Sequence, residues 1–586
     1  MKKFGITRNV GLLLVMMTAG LLGSAGPAPK QGLYRAKPEN VPEWAQPGNF
    51  RFIRVDGGGI ESRKAERTWW GENFSAEEKD VLAHVYDRDF DRMLGLLQQA
   101  EFNWIWVTWS NGWSLPEESE NRELIKKVIA RCHENGIHVT AYMSATNLFW
   151  KSAYRDDPET KKLGLWVHGI PLFYAGLTKT GVHISWERRL ADVRKPEWRA
   201  YLLKKAELAV DAGVDAIFFD NIIGDTGGMR LLLSEVQGMA EAKAAATGRP
   251  KAMVYANVHW DPGRFDLNDS GEVIWEEAGK DTPGVWPAGW QIANARKIKF
   301  LSGEKLAWQP LMYENDVYHC GPRETCIPAP VEQKLSIAEA YAFGAAYSRN
   351  IEGRFLKALI KDETEAQEAW AAIARYNHFL VEHRDLYHQV VPVARIALMS
   401  KEEKNPLADY FIKQNITFET KVLNHLGKGI PLKDFKVLVI PFPLPKLNTE
   451  QSNILAAFAE GGGVIIKTGQ AAADVAKQVE AAAGGPVIAL ENRGYLIANV
   501  TKKLNDDIFI VHLINYDHDV PAENVKVRLD LSDQVKNLGG FELKVISPDE
   551  SQSLATGISK TGGVCEFSIS RIQHYVIVVL SPKAAK

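Results

Sequence analysis

Val214-Asp215-Ala216-Ile217-Phe218-Phe219-Asp220 is the stretch on which the fold turns. Ala216 to Phe219 is apolar at every position, so both faces of a strand there are covered, as in a parallel strand between a barrel interior and an outer layer of helices. Polarity resumes abruptly at Asp220. The segment before it reads as one such helix: Pro196 suits a first turn, where its missing N–H costs nothing. Trp198, Leu202, Ala206 and Ala209 recur at helical spacing, with Lys204 and Lys205 on another face. Gly213 closes the helix, because glycine takes the left-handed conformation of a helix end without steric cost and lets the chain turn straight into the strand.

The same β-then-α order recurs outward from this unit, between about Phe50 and Tyr387. Candidate strands are Phe52–Val55, Trp104–Thr108, His138–Met143, Ala216–Phe219, Met253–Ala256, Val273–Trp275, Ala307–Met312 and Ala345–Ser348. Eight such units imply a parallel sheet closed into a (β/α)8 barrel, assigned to residues 45–388. Past Gln389 the texture shifts to a small α/β pattern over 389–485, with strands at Ala394–Met399, Val437–Ile440 and Val464–Lys467. Asn448 and Gln451 there form a capping box that opens a helix over Thr449–Glu460. This segment is expected to be a flavodoxin-like, glutamine amidotransferase-like domain, and it carries no nucleophile or phosphate loop. Residues 486–586 hold short β runs between turns, which predict a β-sandwich.

Composition narrows the function. Across 586 residues, 70 Lys and Arg nearly balance 72 Asp and Glu, and no basic stripe appears, so neither nucleic acid nor an anionic membrane is an expected partner. Lys2, Lys3 and Arg8 precede the apolar run Val10 to Leu22 and the small residues Gly23, Ser24 and Ala25. Residues 1–25 are therefore expected to be a signal peptide, and the mature chain to be secreted or periplasmic. In such a compartment Cys320 and Cys326, close together in a turn-rich stretch, read as a local disulfide, with Cys132 and Cys565 as isolated thiols. All 17 tryptophans fall at or before Trp370, and aromatic faces in a concave pocket suit the apolar faces of sugar rings.

In a β/α barrel, acids just beyond the strand ends converge on one pocket whatever their separation in sequence. That set is Asp56, Asp220, Glu276, Glu277, Glu314 and Glu352. Cleaving a glycosidic bond needs one carboxylate to attack, or to position water, and a protonated one to serve the leaving oxygen. Asp220 is the leading candidate. Adjacent strand residues point to opposite faces, so only one of Glu276 and Glu277 is expected to reach the pocket; Glu276, with the parity of Ile274, is preferred. Glu314 is the alternative nucleophile. Asp56, Tyr142, Asn147, Asn221, Asn257 and His259 are candidate partners for sugar hydroxyls, and Trp109, Trp113, Trp150 and Trp260 candidate stacking platforms. Trp275 reads as packing, and Asp225 and Asp281 as solvated loop charges. No His-x-His or close His/Asp set marks a metal site, and no cofactor is expected.

The order of the three units resembles the family 42 glycoside hydrolases. The likeness is most specific at Val437-Leu-Val-Ile-Pro441, Leu447-Asn-Thr-Glu-Gln451 and Phe458-Ala-Glu-Gly-Gly-Gly463, which are similar to the β-galactosidase trimerisation domain and imply self-association. His512-Leu-Ile-Asn515-Tyr516 looks like the sandwich that follows such domains in related hydrolases. Family 42 enzymes carry Asn-Glu after the fourth strand, whereas Asp220-Asn221 stands here. Phe218-Phe219-Asp220-Asn221 instead is similar to the strand-four signature of α-galactosidases and dextranase-like barrels. That resemblance implies a nucleophilic Asp220, with its acid/base partner on a later strand at Glu276 or Glu277. The expected function is retaining hydrolysis of an oligo- or polysaccharide; the alternatives are a non-catalytic glycan-binding barrel and a metal-dependent deacetylase using acids and His259.

Overall fold

A computed structural model describes residues 33–583 apart from 64–73, 168–169, 179–180, 223–225, 258–266, 280–282, 287–288, 304, 306–307, 316, 323–324, 424–425, 428–430, 441–442, 444–445 and 550–552. The expected leader, residues 1–25, lies outside the described residues, as do Asp225, His259, Trp260 and Asp281.

Eight parallel strands close into a barrel in which each pairs with its sequence neighbours. They are β1 (Phe52–Val55), β2 (Trp104–Ser110), β3 (His138–Ser144), β4 (Ala216–Asp220), β5 (Met253–Asn257), β6 (Ile274–Gly279), β7 (Leu311–Asn315) and β8 (Ala346–Ile351). All eight expected strands are present, and each of β2 to β8 continues further toward the polar rim than its apolar run alone suggested. The seventh starts later than expected, at Leu311, directly after Pro310, which has no N–H to give to a ladder.

Alternation along the strands is settled by rings that meet between strands that are not neighbours. Phe52 on β1 lies 5.1 Å from Trp275 on β6, and Trp106 on β2 lies 5.2 Å from Phe218 on β4 and 5.7 Å from Trp275, centroid to centroid. Such pairs meet only across the barrel interior. Phe52, Trp104, Trp106, Phe218, Tyr255 and Trp275 therefore point inward and fill the barrel, each burying a large apolar area.

The helix Pro196–Ala212 behaves as read, with proline in its first turn and Gly213 left-handed at φ 96°. Lys205 is the exception. It is buried under the helix, its ammonium 2.9 Å from Glu118 Oε2 and also donating to the Ser110 hydroxyl. The expected solvent-facing lysine is thus half of an internal ion pair that braces the loop after β2. Its partner lies far away in sequence, beyond the reach of any helical periodicity.

The middle unit is a parallel four-stranded sheet of β9 (Ile396–Ser400), β10 (Glu419–Val422), β11 (Val437–Ile440) and β12 (Val464–Lys467), in the order β10-β9-β11-β12. The Asn448–Gln451 capping box is formed. After it come two antiparallel sheets, of five and four strands, packed around Leu496, Val511, Val527, Ile569 and Val578. The five-stranded sheet takes its edge strand, Val390–Pro392, from before the middle unit, paired with Leu496–Lys503. The middle unit is therefore an excursion from the sandwich as well as a successor to the barrel. Cys320 and Cys326 form a disulfide, and Cys132 and Cys565 are buried free thiols. No helix among the described residues is long and apolar enough to cross a membrane.

Candidate active site

Asp220 ends β4 with the inward parity of Phe218, at the C-terminal rim. One carboxylate oxygen accepts from the Tyr142 hydroxyl at 3.0 Å and the other from the Asn257 amide at 3.0 Å. Both donors come from neighbouring strands, β3 and β5, and both are buried. Two fixed donors hold the carboxylate in one orientation. Asn221 follows in the left-handed region at φ 53°, a conformation asparagine tolerates better than most residues. That turn brings its side-chain amide back to donate to the Tyr142 oxygen at 2.7 Å. The Thr146 hydroxyl donates to the Asn221 carbonyl and fixes the turn.

Across the rim stands a second cluster. Arg54 shares the inward parity of Phe52 and reaches Asp56 at 2.9 Å and Glu314 at 3.3 Å. Asn350, on β8, donates to Glu314 at 3.1 Å and more distantly to Asp56 at 3.4 Å. The Arg54 guanidinium lies over the Trp106 ring at 4.1 Å, while Tyr142 packs against the same ring at 4.5 Å. Trp106 is thus the shared floor of both clusters. Its buried indole N–H has no hydrogen-bond partner among the described residues, an uncommon state for a buried donor.

The preference for Glu276 is corrected by this alternation. Trp275 is inward, so Glu276 faces outward. It is fully buried behind the barrel wall, 2.7 Å from the Lys297 ammonium on the helix Ala293–Ser302. Glu277 has the parity of Trp275, and its Cα pairs in register with that of Glu314.

Several expected sugar contacts are also corrected. Trp109 faces outward and donates its indole N–H to the Lys205 carbonyl. Trp113 is buried with its ring stacked on Phe149 at 4.0 Å. Asn147 is wholly buried, where the absence of a side chain at Gly112 lets the two rim loops touch; a Cβ there would lie 2.0 Å from the Asn147 carbonyl oxygen. Glu352 is buried and opens the helix Gly353–Ile360. Asp56, Tyr142, Asn221 and Asn257 do gather at the rim with Asp220. Arg54, Trp106 and Asn350 complete the arrangement without having been anticipated. For Arg54 the one available signal was its two-residue spacing from Phe52 and Asp56. Among the described residues no group of three or more His, Cys, Asp or Glu side chains is arranged to hold a metal ion.

No family model matches the chain, and the search of curated proteins found no match. Solved structures share its fold. Alpha-L-fucosidase isoenzyme 2 from Paenibacillus thiaminolyticus superposes with a TM-score of 0.61 at 14% identity, over 91% of this chain and 100% of that one. A cycloisomaltooligosaccharide glucanotransferase from Paenibacillus sp. gives 0.54 at 9% identity, over 92% and 85%. The beta-galactosidase from Rahnella sp. R3 gives 0.52 at 10% identity, over 89% and 98%. At these identities the likeness is one of fold, and it extends over the barrel and the units that follow it.

Proposed function

We propose that this protein is a retaining glycoside hydrolase acting on an oligo- or polysaccharide, with Asp220 as nucleophile and Glu277 as acid/base. The observation that carries the reading is the Asp220 carboxylate, held by Tyr142 and Asn257 at the rim of an aromatic-filled barrel. Three structural neighbours, a fucosidase, a glucanotransferase and a β-galactosidase, work on carbohydrate by name and support the substrate class.

In the first step an Asp220 oxygen bonds to the anomeric carbon as the glycosidic C–O bond breaks, and Glu277 gives its proton to the leaving oxygen. In the second, Glu277 takes a proton from water, whose oxygen replaces Asp220 at the anomeric carbon and restores both groups. Glu314 is assigned a positioning role instead, because it is ion-paired with Arg54 and accepts from the Asn350 amide. Its place is to fix Arg54 over Trp106. Export with loss of residues 1–25, and self-association through a family 42-type middle unit, belong to the same proposal.

The test is a screen of aryl glycosides and polysaccharides with anomer-resolved product analysis. Asp220→Asn is expected to lower turnover by about 10³-fold or more on every substrate cleaved. Glu277→Gln is expected to slow both steps on substrates with poor leaving groups, and only the second on substrates whose leaving group needs no proton, with turnover of the latter restored by an added nucleophile such as azide. Full turnover by Asp220→Asn, or an inverted product anomer, overturns the assignment. Saturable sugar binding with no turnover of any substrate points to the glycan-binding alternative.

A further inference from the structure

At the opposite end of the barrel from Asp220, a cavity of about 230 Å³ lies where the three units meet. Phe50 lies just before β1, Leu311 and Ala346 start β7 and β8, Glu419 and Lys421 come from β10, and Val391 and Thr501 from the five-stranded sheet. Most of the wall is apolar and buried, with Phe50, Tyr341, Phe343 and Tyr387 as its aromatic sides.

Its charged lining, among the described residues, is Lys299, Lys305, Lys421 and Glu419. The Lys299 ammonium sits 3.3 Å from Glu419 Oε1, both side chains almost fully buried. Lys305, partly buried in the same wall, has that same Glu419 as its electrostatic neighbour. Among the described residues that line the cavity, Glu419 is the one carboxylate beside the Lys299 and Lys305 ammonium groups. The arrangement is built in by close packing: a Cβ at Gly303 would lie 2.1 Å from the Thr420 carbonyl oxygen, so only glycine brings the turn that carries Lys305 onto β10. Withdrawing a cation from water is costly, and burial holds the Lys305 ammonium down to about 8. An anion between the two lysines would remove that cost.

We propose that this cavity binds a small amphipathic carboxylate, its charge between Lys299 and Lys305 and its apolar body against the aromatic wall. The volume is below the roughly 300–1,000 Å³ of sites for drug-sized ligands, so a single ring or a short chain fits best. The site draws on all three units, and it is independent of the catalytic reading.

Calorimetric titration of the full-length protein with benzoate and with hexanoate tests this, with benzyl alcohol and inorganic phosphate as controls at matched ionic strength. The expected result is saturable one-to-one binding of a carboxylate, none of benzyl alcohol, at least tenfold weaker binding in Lys305→Met, and retained binding in Lys305→Arg. A second measurement needs no variant: benzoate should slow acylation of Lys305 by an amine-reactive reagent at least fivefold, read by peptide mass spectrometry, and leave the exposed Lys526 unaffected. Absence of saturable carboxylate binding, binding unchanged in a folded Lys305→Met protein, unprotected Lys305, or binding of phosphate alone would each overturn the proposal.

Discussion

Glu276 has the parity opposite to the inward Trp275 and stands behind the barrel wall. Glu276 is a buried carboxyl group paired with the Lys297 ammonium, so its replacement should act on stability. Glu276→Gln is expected to cost roughly 3–5 kcal/mol in urea unfolding, the usual result of breaking a buried ion pair, while the folded fraction keeps its turnover within about twofold. A large loss of kcat at unchanged stability would return Glu276 to the catalytic role. Tyr142 tests the other side of the assignment. Its hydroxyl orients Asp220 from β3, and a hydrogen bond to a charged group contributes about 1.5–3 kcal/mol, so Tyr142→Phe should lower kcat roughly tenfold to a hundredfold with a smaller change in KM. An unchanged kcat would show that Asn257 alone suffices to hold the carboxylate.

At the scale of the elements, the β4 unit was the most legible part of the chain because three independent signals agree there: proline at the helix start, glycine at its end, and an apolar run that stops at an acid. Gly213 shows how local that information is. A Cβ at this position would meet nothing closer than 3.7 Å, so the cost of Gly213→Ala is conformational, about 1–2 kcal/mol for a left-handed alanine, seen as a lower thermal midpoint with kcat unaffected. Unchanged stability would mean that the helix end relaxes to another conformation. Orientation was less legible than existence. A strand apolar on both faces carries no alternation to say which face is inside, and for β6 that ambiguity lay between Ile274 and Trp275 and is what put Glu276 forward. Arg54 was obscured in the opposite way: an arginine in a four-residue strand reads as solvent-facing until Glu314, 260 residues away, supplies its counter-charge.

Over the whole molecule, the sandwich is tied to the end of the barrel segment by a buried chain of polar groups. His512 meets Thr501 at 3.2 Å and the Tyr575 hydroxyl at 2.8 Å, and Tyr575 meets Tyr387 at 3.1 Å. Burial lowers the His512 pKa to about 3, so the folded protein keeps this ring neutral while the unfolded chain takes up a proton below about 6.5. Unfolding then binds a proton, and this residue's contribution falls by about 1.4 kcal/mol per pH unit between those values as pH drops. His512→Gln is expected to flatten the pH dependence of the urea midpoint between pH 6 and 4 by about one proton; equal slopes would mean that the ring protonates in place. The amino-acid sequence by itself determined the barrel, the order of the three units, the capped helices and the disulfide, because propensity, periodicity and turn chemistry act over a few residues. Only the tertiary structure decided that Glu276 lies behind the barrel wall against Lys297, that Lys205 and Arg54 are internal, and that Val390–Pro392 belongs to a sheet completed a hundred residues later. Each of those depends on a partner distant in sequence, and a charge or strand edge is committed only once that partner is in place.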